Sequence, residues 1–275
     1  MLRYKIVASD LDGTLMRQDM SVSDENFSAI KRLDESGVFF VPSSGRTLAE
    51  IPSFLKENPN IRYIIYSNGA SVIDLKTNER ISLCMTKNTI TKILSVQDRF
   101  GCHVTVRAND NSYADSNEQS EQTRAYYNVC DSHTRLLDEC ACFVDGLTDF
   151  MRSLTSVESI AVFFHSKEEL NAFAEELRCI PDILFAKGSE FHIEIFSSES
   201  GKGNCLIKLC SMLGIDIEET IAVGDSMNDA SILKTAGLGL AVANAAEELK
   251  SVADAVICDN EHHAIDCIFK KYIEG

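Results

Sequence analysis

Short uninterrupted apolar runs alternate with amphipathic stretches along both ends of the chain. Tyr4 to Ala8, Val38 to Val41, Ile61 to Tyr66, Thr220 to Val223, Gly239 to Val242 and Ala255 to Cys258 are rich in β-branched or other apolar residues and predict buried strands. Between them, helical spacing predicts a helix capped by Ser23, carrying Phe27, Ile30 and Leu33 and ended by Gly37. Further helices are predicted over about Thr47 to Lys56, Asn204 to Leu213, Ala230 to Ala236, Ala245 to Ala253 and Ala264 to Tyr272. Strand, helix, strand order implies right-handed parallel crossovers. The expected fold class is therefore α/β, with a doubly wound, mostly parallel, Rossmann-like sheet as its core.

The middle of the chain reads differently. Ser71 to Asp74 and Arg80 to Leu83 alternate and predict a hairpin around Lys76-Thr77-Asn78. From about Cys84 to Lys187, helical patterns (Thr89 to Arg99, Gln119 to Cys130, Lys167 to Leu177) mix with strands (His103 to Arg107, Ile160 to His165, Ile183 to Ala186), and none ends in an Asp-rich loop. This predicts an inserted α/β domain over 84–187, with 1–83 and 188–275 forming the core. The polar stretch Asn109 to Asn117 reads as a mobile tip, and the alternating Phe191 to Phe196 as the strand that returns the chain to the first domain.

Composition changes this picture only by exclusion. A chain of 275 residues with 45% hydrophobic and 25% charged residues has ordinary globular composition, enough for a core and a second, smaller domain. A formal net charge of -16 argues against nucleic-acid or anionic-membrane partners, so an anionic ligand must meet local positive charge. No run approaches the roughly 18 apolar residues of a membrane helix and no apolar leader segment stands at the start, so a cytoplasmic protein, monomeric or weakly homo-oligomeric, is expected. The ten cysteines are scattered through a chain able to build its own core, which predicts free thiols. Cys140-x-Cys142 lacks a second pair at zinc spacing, and His262-His263 is no stronger as a metal site.

The residues able to carry chemistry stand at the carboxyl ends of the strands. Ser9-Asp10-Leu11-Asp12-Gly13-Thr14-Leu15 places two carboxylates at the end of the first strand, where open α/β sheets bind ligands. Extended alternation sends Asp10 and Asp12 the same way, and like charges that close call for a cation or a proton. Alone, such a pair is also an ordinary turn. After the second strand, Ser44, Gly45 and Arg46 suit an oxyanion, with Arg46 either supplying charge or capping the next helix. Asn68 comes after the third strand in Ser67-Asn68-Gly69, which is also a good turn. Lys202 stands near a helix N-terminus, where the dipole disfavours a cation, and this favours a role in a site. Gly224-Asp225-Ser226-Met227-Asn228-Asp229 closes the set with acidic residues at another strand exit.

Taken in order, these motifs resemble the haloacid dehalogenase superfamily. Asp10-Leu11-Asp12-Gly13-Thr14-Leu15 matches its first motif, Ser44-Gly45-Arg46 the second, Lys202-Gly203 the third and Gly224 to Asp229 the fourth. The large insertion between the second and third motifs is similar to that of the Cof-type subfamily, whose cap is of type IIB (C2B). Ala241-Val242-Ala243-Asn244 and Glu261-His262-His263-Ala264 depart from the usual pattern at positions that carry ligand loops in relatives. The resemblance implies that Asp10 is a nucleophile forming an aspartyl-phosphate and that Asp12 is general acid and base. It implies Mg²⁺ on the Asp10 carboxylate, the Asp12 carbonyl and Asp225, with Asp229 in direct or outer support. Ser44 and Lys202 would bind phosphate oxygens, Gly45, Arg46 and Asn68 would line the site, and Asn228 would orient the Asp225 loop or meet phosphate. The implied activity is hydrolysis of small phosphorylated metabolites, such as sugar phosphates or phosphorylated cofactors, with the inserted domain as a lid. A phosphomutase of the same superfamily is the nearest alternative. A phosphorylation-switched receiver module, about half this length and without an acid at the position of Asp12, is a more distant one.

Overall fold

The computed structural model describes residues 3–274, and for Ser132 the backbone alone. In chain order, β1 (Ile6–Ser9), α1 (Asp24–Glu35), β2 (Phe39–Pro42), α2 (Ser53–Lys56), β3 (Tyr63–Tyr66), β4 (Ser71–Asp74) and β5 (Arg80–Ser82) come first. The insertion supplies β6 (Met85–Thr86), α3 (Lys87–Gln97), β7 (His103–Ala108), β8 (Asn111–Asp115), α4 (Glu121–Tyr126), α5 (Asp131–Cys140) and β9 (Cys142–Val144). It continues with α6 (Leu147–Ser153), β10 (Ser156–Val157), β11 (Ser159–Phe163), α7 (Lys167–Leu177), β12 (Ile183–Lys187) and β13 (His192–Ser197). The last part adds α8 (Lys202–Leu213), β14 (Thr220–Gly224), α9 (Ala230–Thr235), β15 (Leu238–Ala241), α10 (Glu247–Lys250), β16 (Ala255–Val256) and α11 (Ala264–Ile268).

The first compact unit holds the chain up to Arg46, Ile51–Ser82 and everything from Ser200 onward. Its main sheet runs β16-β15-β14-β1-β2, all parallel. Parallel bridges Phe40 to Ile61 and Ser43 to Ile65 set β3 beside β2, and β3, β4 and β5 form an antiparallel meander. Strand order thus reverses between β1 and β14, which is the doubly wound arrangement expected and puts the switch point at the exits of those two strands. Ile6, Val7, Ile221 and Ala222 are buried on both sheet faces, the reason these strands read as continuous apolar runs. Ser23 caps α1 by accepting the Asn26 N–H.

Three expected helices are shorter than the pattern implied. Only Ser53–Lys56 of the 47–56 stretch is helical, because Pro52 bars helical geometry to the residue before it. Thr47–Glu50 belong to the second unit instead: Ala49 donates to the Asp110 carbonyl at 3.0 Å, and Glu50 accepts from Ser112 Oγ at 2.8 Å. The 119–130 stretch keeps only α4, its chain turning at Asn128 with φ 54°, and the 245–253 stretch keeps only α10. The closing helix widens into a π-helical turn over Phe269–Ile273.

The second unit comprises Thr47–Glu50 and Leu83–Glu199 around a six-stranded sheet ordered β12-β13-β11-β7-β8-β9. The strand Phe191–Phe196, expected to rejoin the first unit, is here: β13 lies between β11 and β12, antiparallel to both, so this unit extends to Glu199. Nor is 109–117 a loose tip. Asn109 and Asp110, at φ 49° and 69°, make the left-handed two-residue turn of a tight hairpin joining β7 to β8. One sheet face, carrying Val104, Val106, Ile160, Val162, Ile193 and Ile195, packs under Leu94 of α3, Met151 of α6 and Phe173 of α7. The opposite face is mixed, with Thr105 and Arg107 aligned beside Ala161 and Ser159. Among the described residues no helix is long and apolar enough to cross a membrane, and the ten cysteines are thiols rather than disulfides.

His133 of α5 packs against that mixed face, 2.9 Å from Thr105 Oγ1 with its ring 4.6 Å from Phe163. Burial, with Arg107 adding to it, pushes the imidazole down to about 3. An unfolded histidine takes up its proton near pH 6.5, so the stability linked to this group is complete above that value and is lost as pH falls from about 6.5 toward 3. Thermal unfolding of His133→Gln should accordingly vary less steeply with pH between 7 and 4 than that of the native chain. Parallel pH dependences would contradict this.

Candidate active site

The loop after β1 is built to hold one carboxylate still. The Asp10 N–H continues the sheet to the Val223 carbonyl at 3.0 Å, and the N–H groups of Leu15 and Met16 fold back to the carbonyls of Asp10 and Leu11. Gly13 sits at φ 81°, and a Cβ there would lie 2.5 Å from Asp225 Oδ2. Only glycine lets the loop and the Asp225 carboxylate approach this closely. Two side chains that sequence reasoning missed pin the loop from the other end. Asn244 Nδ2 donates to the Gly13 carbonyl at 2.8 Å, Asn260 Nδ2 to the Met16 carbonyl at 2.9 Å, and the Asn260 N–H to Asn244 Oδ1 at 3.0 Å. Single amides bridging backbone groups leave no periodic trace, although Asn244 falls inside one of the stretches that departs from the family pattern.

Asp10 is 6% exposed and Lys202, the first residue of α8, is 1% exposed. The ammonium donates to Asp10 Oδ1 at 2.7 Å and to Asp229 Oδ1 at 2.6 Å. The second oxygen of Asp229 accepts the N–H groups of Asp225 and Ser226 at 3.1 and 3.3 Å. Asp229 thereby fixes both the lysine and the loop that carries Asp225. This packing also depends on a glycine, since a Cβ on Gly224 would stand 2.4 Å from Asp229 Cγ.

Asp12 goes elsewhere. Its carboxylate is 49% exposed and receives Arg46 Nε at 2.8 Å and Nη2 at 2.6 Å, so the two aspartates of the first motif meet different cations. The Arg46 N–H in turn donates to Ser44 Oγ at 3.1 Å. Ser67, Asn68 and Gly69 all have positive φ, at 50°, 53° and 80°, a costly conformation for the first two. The Ser67 N–H to the Arg46 carbonyl and the Asn68 N–H to the Ser44 carbonyl hold that turn against the Ser44-Gly45-Arg46 loop. Asn68 Oδ1 accepts from Asn228 Nδ2 at 3.4 Å and would lie 2.9 Å from a Cβ on Gly45. Gly69 touches the start of α8, where a Cβ would come within 2.3 Å of the Gly201 carbonyl carbon.

One ammonium among three carboxylates leaves negative charge in excess. Burial raises Asp10 to about 7, with Lys202 pulling it down and Asp229 and Asp225 pushing it up. Burial, then Asp229, raises Asp225 to about 6. Burial alone would lower Lys202, but Asp10 and Asp229 outweigh it and hold the ammonium charged. Oxygens of Asp10, Asp225 and Asp229 lie within 4.8 Å of one another, and this all-oxygen donor set fits a hard divalent cation.

A strand-end aspartate clamped by a buried lysine beside an acidic cation site, at the switch point of a doubly wound sheet, defines a phosphoryl-transferring α/β enzyme. A sequence profile of haloacid dehalogenase-like hydrolases matches residues 7–268, and the chain belongs to that family. It is 28% identical to the phosphatase YwpJ of Bacillus subtilis, over 97% of this chain and 99% of that protein. It is 26% identical to the 5-amino-6-(5-phospho-D-ribitylamino)uracil phosphatase YcsE of the same organism, over 93% and 90%. The solved structure of a haloacid dehalogenase-like hydrolase from B. subtilis superposes with a TM-score of 0.76 at 28% identity, covering 98% of this chain and all of the other.

Asp10 is pushed up to about 7 and Asp225 up to about 6, so a divalent cation bound between them competes with protons, and Mg²⁺ affinity should fall as pH drops from 8 to 5 with protons released on binding. Calorimetry in buffers of different ionisation enthalpy reads both effects, and a pH-independent affinity would contradict the assignment. Gly69→Ala should cost about 1–3 kcal/mol in denaturant unfolding, from the positive φ and the contact with Gly201. An unchanged midpoint would show that this approach is not tight.

Proposed function

We propose that the chain hydrolyses small phosphomonoesters through a phosphorylated Asp10, with Mg²⁺ held by the carboxylates of Asp10 and Asp225 and the Asp12 carbonyl. The observation that carries this reading is the buried contact of Lys202 with Asp10 beside Asp225, which keeps a carboxylate nucleophile immobile at a strand end. When bound there, Mg²⁺ would offset the repulsion between the nucleophile and a phosphate dianion. Asp10 attacks phosphorus as the P–O bond to the alcohol breaks, and water then attacks phosphorus in the acyl-phosphate so formed, releasing inorganic phosphate and the Asp10 carboxylate, a good leaving group. Lys202 and Ser44 supply positive charge and a hydroxyl to the non-bridging oxygens. Asp229, both of whose oxygens are taken by Lys202 and by backbone N–H groups, acts as support for its neighbours rather than as a direct cation ligand.

Asp12 gives its proton to the departing alkoxide and then takes one from the attacking water. The two bonds from Arg46 fix the plane of its carboxylate between these steps. Asn68 and Asn228, linked to each other, orient the loops on either side of the site. The name of the Bacillus relative YcsE supports a phosphate carried on a hydroxylated chain, and sugar phosphates and phosphorylated cofactors fall in the same range. Selection among them is assigned to the second unit, whose strand ends carry none of the catalytic motifs.

Replacing Asp12 with Asn separates the two proton transfers. A sugar alkoxide needs the acid, so phosphoryl transfer from a sugar phosphate should slow by about 10²–10⁴. Nitrophenolate leaves nearly unaided, so p-nitrophenyl phosphate should give a rapid burst and then accumulation of phospho-Asp10. Rapid quench with both substrates reads the difference, and equal slowing without a burst would show that Asp12 is not the acid.

A further inference from the structure

Directly after the loop that carries Ser44, Gly45 and Arg46, the short segment Thr47–Glu50 belongs to the second unit, while Arg46 and Ile51 on either side of it belong to the first. Polar bonds hold the segment there. The Ala49 N–H donates to the Asp110 carbonyl at 3.0 Å in the turn between β7 and β8, and Ser112 Oγ of β8 donates to Glu50 Oε1 at 2.8 Å. That turn is itself anchored, the Asp110 N–H reaching the buried Glu158 carboxylate at 2.9 Å. The second oxygen of Glu50 accepts the Thr47 N–H at 2.9 Å, and the Glu50 N–H returns to the Thr47 carbonyl at 3.1 Å. Glu50 thus closes the segment on itself with one oxygen and ties it to β8 with the other.

The hydroxyl of Thr47 does not share this work. It is buried and meets no hydrogen-bond partner among the described residues, so the carboxylate of Glu50 makes the closure. What the closure holds is the backbone of Arg46. The Thr47 N–H and the Arg46 carbonyl belong to one rigid peptide plane, and that carbonyl accepts the Ser67 N–H at 2.8 Å. On the other side, the Arg46 N–H is bonded to Ser44 Oγ at 3.1 Å. With both flanking peptides fixed, the direction in which Arg46 projects is set, and its guanidinium gives Asp12 two bonds, at 2.8 and 2.6 Å.

We propose that Glu50 is a positioning residue for Arg46: anchored on Ser112, it fixes the peptide that follows the arginine and so keeps the guanidinium in register with the Asp12 carboxylate. A shift of the β7–β8 hairpin is then felt at Asp12 through the stretch 46–50 of the chain alone. The effect on turnover rests on the role of Asp12 proposed above, whereas the effect on the bond from Arg46 does not.

The test reads Arg46 itself. In full-length protein labelled with nitrogen-15 arginine, the Arg46 Nε–H signal is assigned by its loss in Arg46→Lys, and its exchange with water is measured by NMR. Ser112→Ala removes the tie to β8 and Glu50→Ala removes both bonds, and each should speed that exchange about tenfold or more. Arg62 Nε–H, bonded to Asp74 at 3.0 Å, should stay unchanged as the control. Glu50→Gln should stay close to the native chain, because the amide oxygen can take the Thr47 N–H while Ser112 Oγ turns to accept from the amide nitrogen. Rapid quench reads the chemical consequence: Ser112→Ala should slow phosphoryl transfer from ribose 5-phosphate about tenfold more than transfer from p-nitrophenyl phosphate, and should add nothing further in an Asp12→Asn background. If Glu50→Ala fails to fold, Ser112→Ala and Glu50→Gln decide. Native-like exchange at Arg46 in Ser112→Ala would overturn the proposal, as would exchange in Glu50→Gln as fast as in Glu50→Ala. Faster exchange with no change in the ratio of the two substrates would uphold the positioning and contradict the acid role of Asp12 instead.

Discussion

The buried ammonium of Lys202, held between Asp10 and Asp229, is the constraint on which the rest of this structure depends. Taking such ions out of water costs several kcal/mol each, and leaving one without its partner costs about 3–5 kcal/mol. The charge also stands at the start of α8, where the helix dipole opposes it. Two carboxylates at 2.7 and 2.6 Å offset both penalties, so none of the three groups can leave without disturbing the others.

Delivering the three groups to one point is the task of the sheet. Lys202 and Asp10 are 192 positions apart, and Lys202 and Asp229 are 27 apart. Parallel pairing of β1 with β14 at the switch point brings the two aspartate loops together, and the turn at Gly69 backs the start of α8. Gly13, Gly69 and Gly224 each occupy a contact that a Cβ would close, so these glycines set distances within the site rather than merely punctuating loops. The second unit obeys another principle. Its sheet devotes one face to packing under helices and leaves polar side chains on the other.

The doubly wound core was legible because its strands are buried on both faces and read as short apolar runs. Most motif residues were legible because they stand just beyond such a run, whereas Lys202, which starts α8 after a strand of the second unit, was legible as a cation set against the helix dipole. What alternation cannot reveal is which sheet a strand joins: Phe191–Phe196 has the pattern of a half-buried strand in either unit, and the choice was made by pairing with β11 and β12. The Asn109–Asp110 turn hid a hairpin because β8 lies in a mixed face and carries few apolar residues. Thr47–Glu50 looked helical by composition, yet hydrogen bonds to residues more than sixty positions away hold it in the second unit. The different destinations of Asp10 and Asp12 were also out of reach, since the chain leaves extended geometry at Leu11 and alternation no longer applies.

The central claim is that phosphate passes through Asp10 before reaching water. It is tested most directly by the stereochemical course at phosphorus, using a phosphorothioate monoester whose two non-bridging oxygens are different isotopes, hydrolysed in water of the third isotope so that the thiophosphate released is chiral. Two in-line displacements, first by Asp10 and then by water, give thiophosphate with overall retention of configuration. Inversion would mean that water attacks the substrate in a single step, and would contradict the nucleophilic role of Asp10.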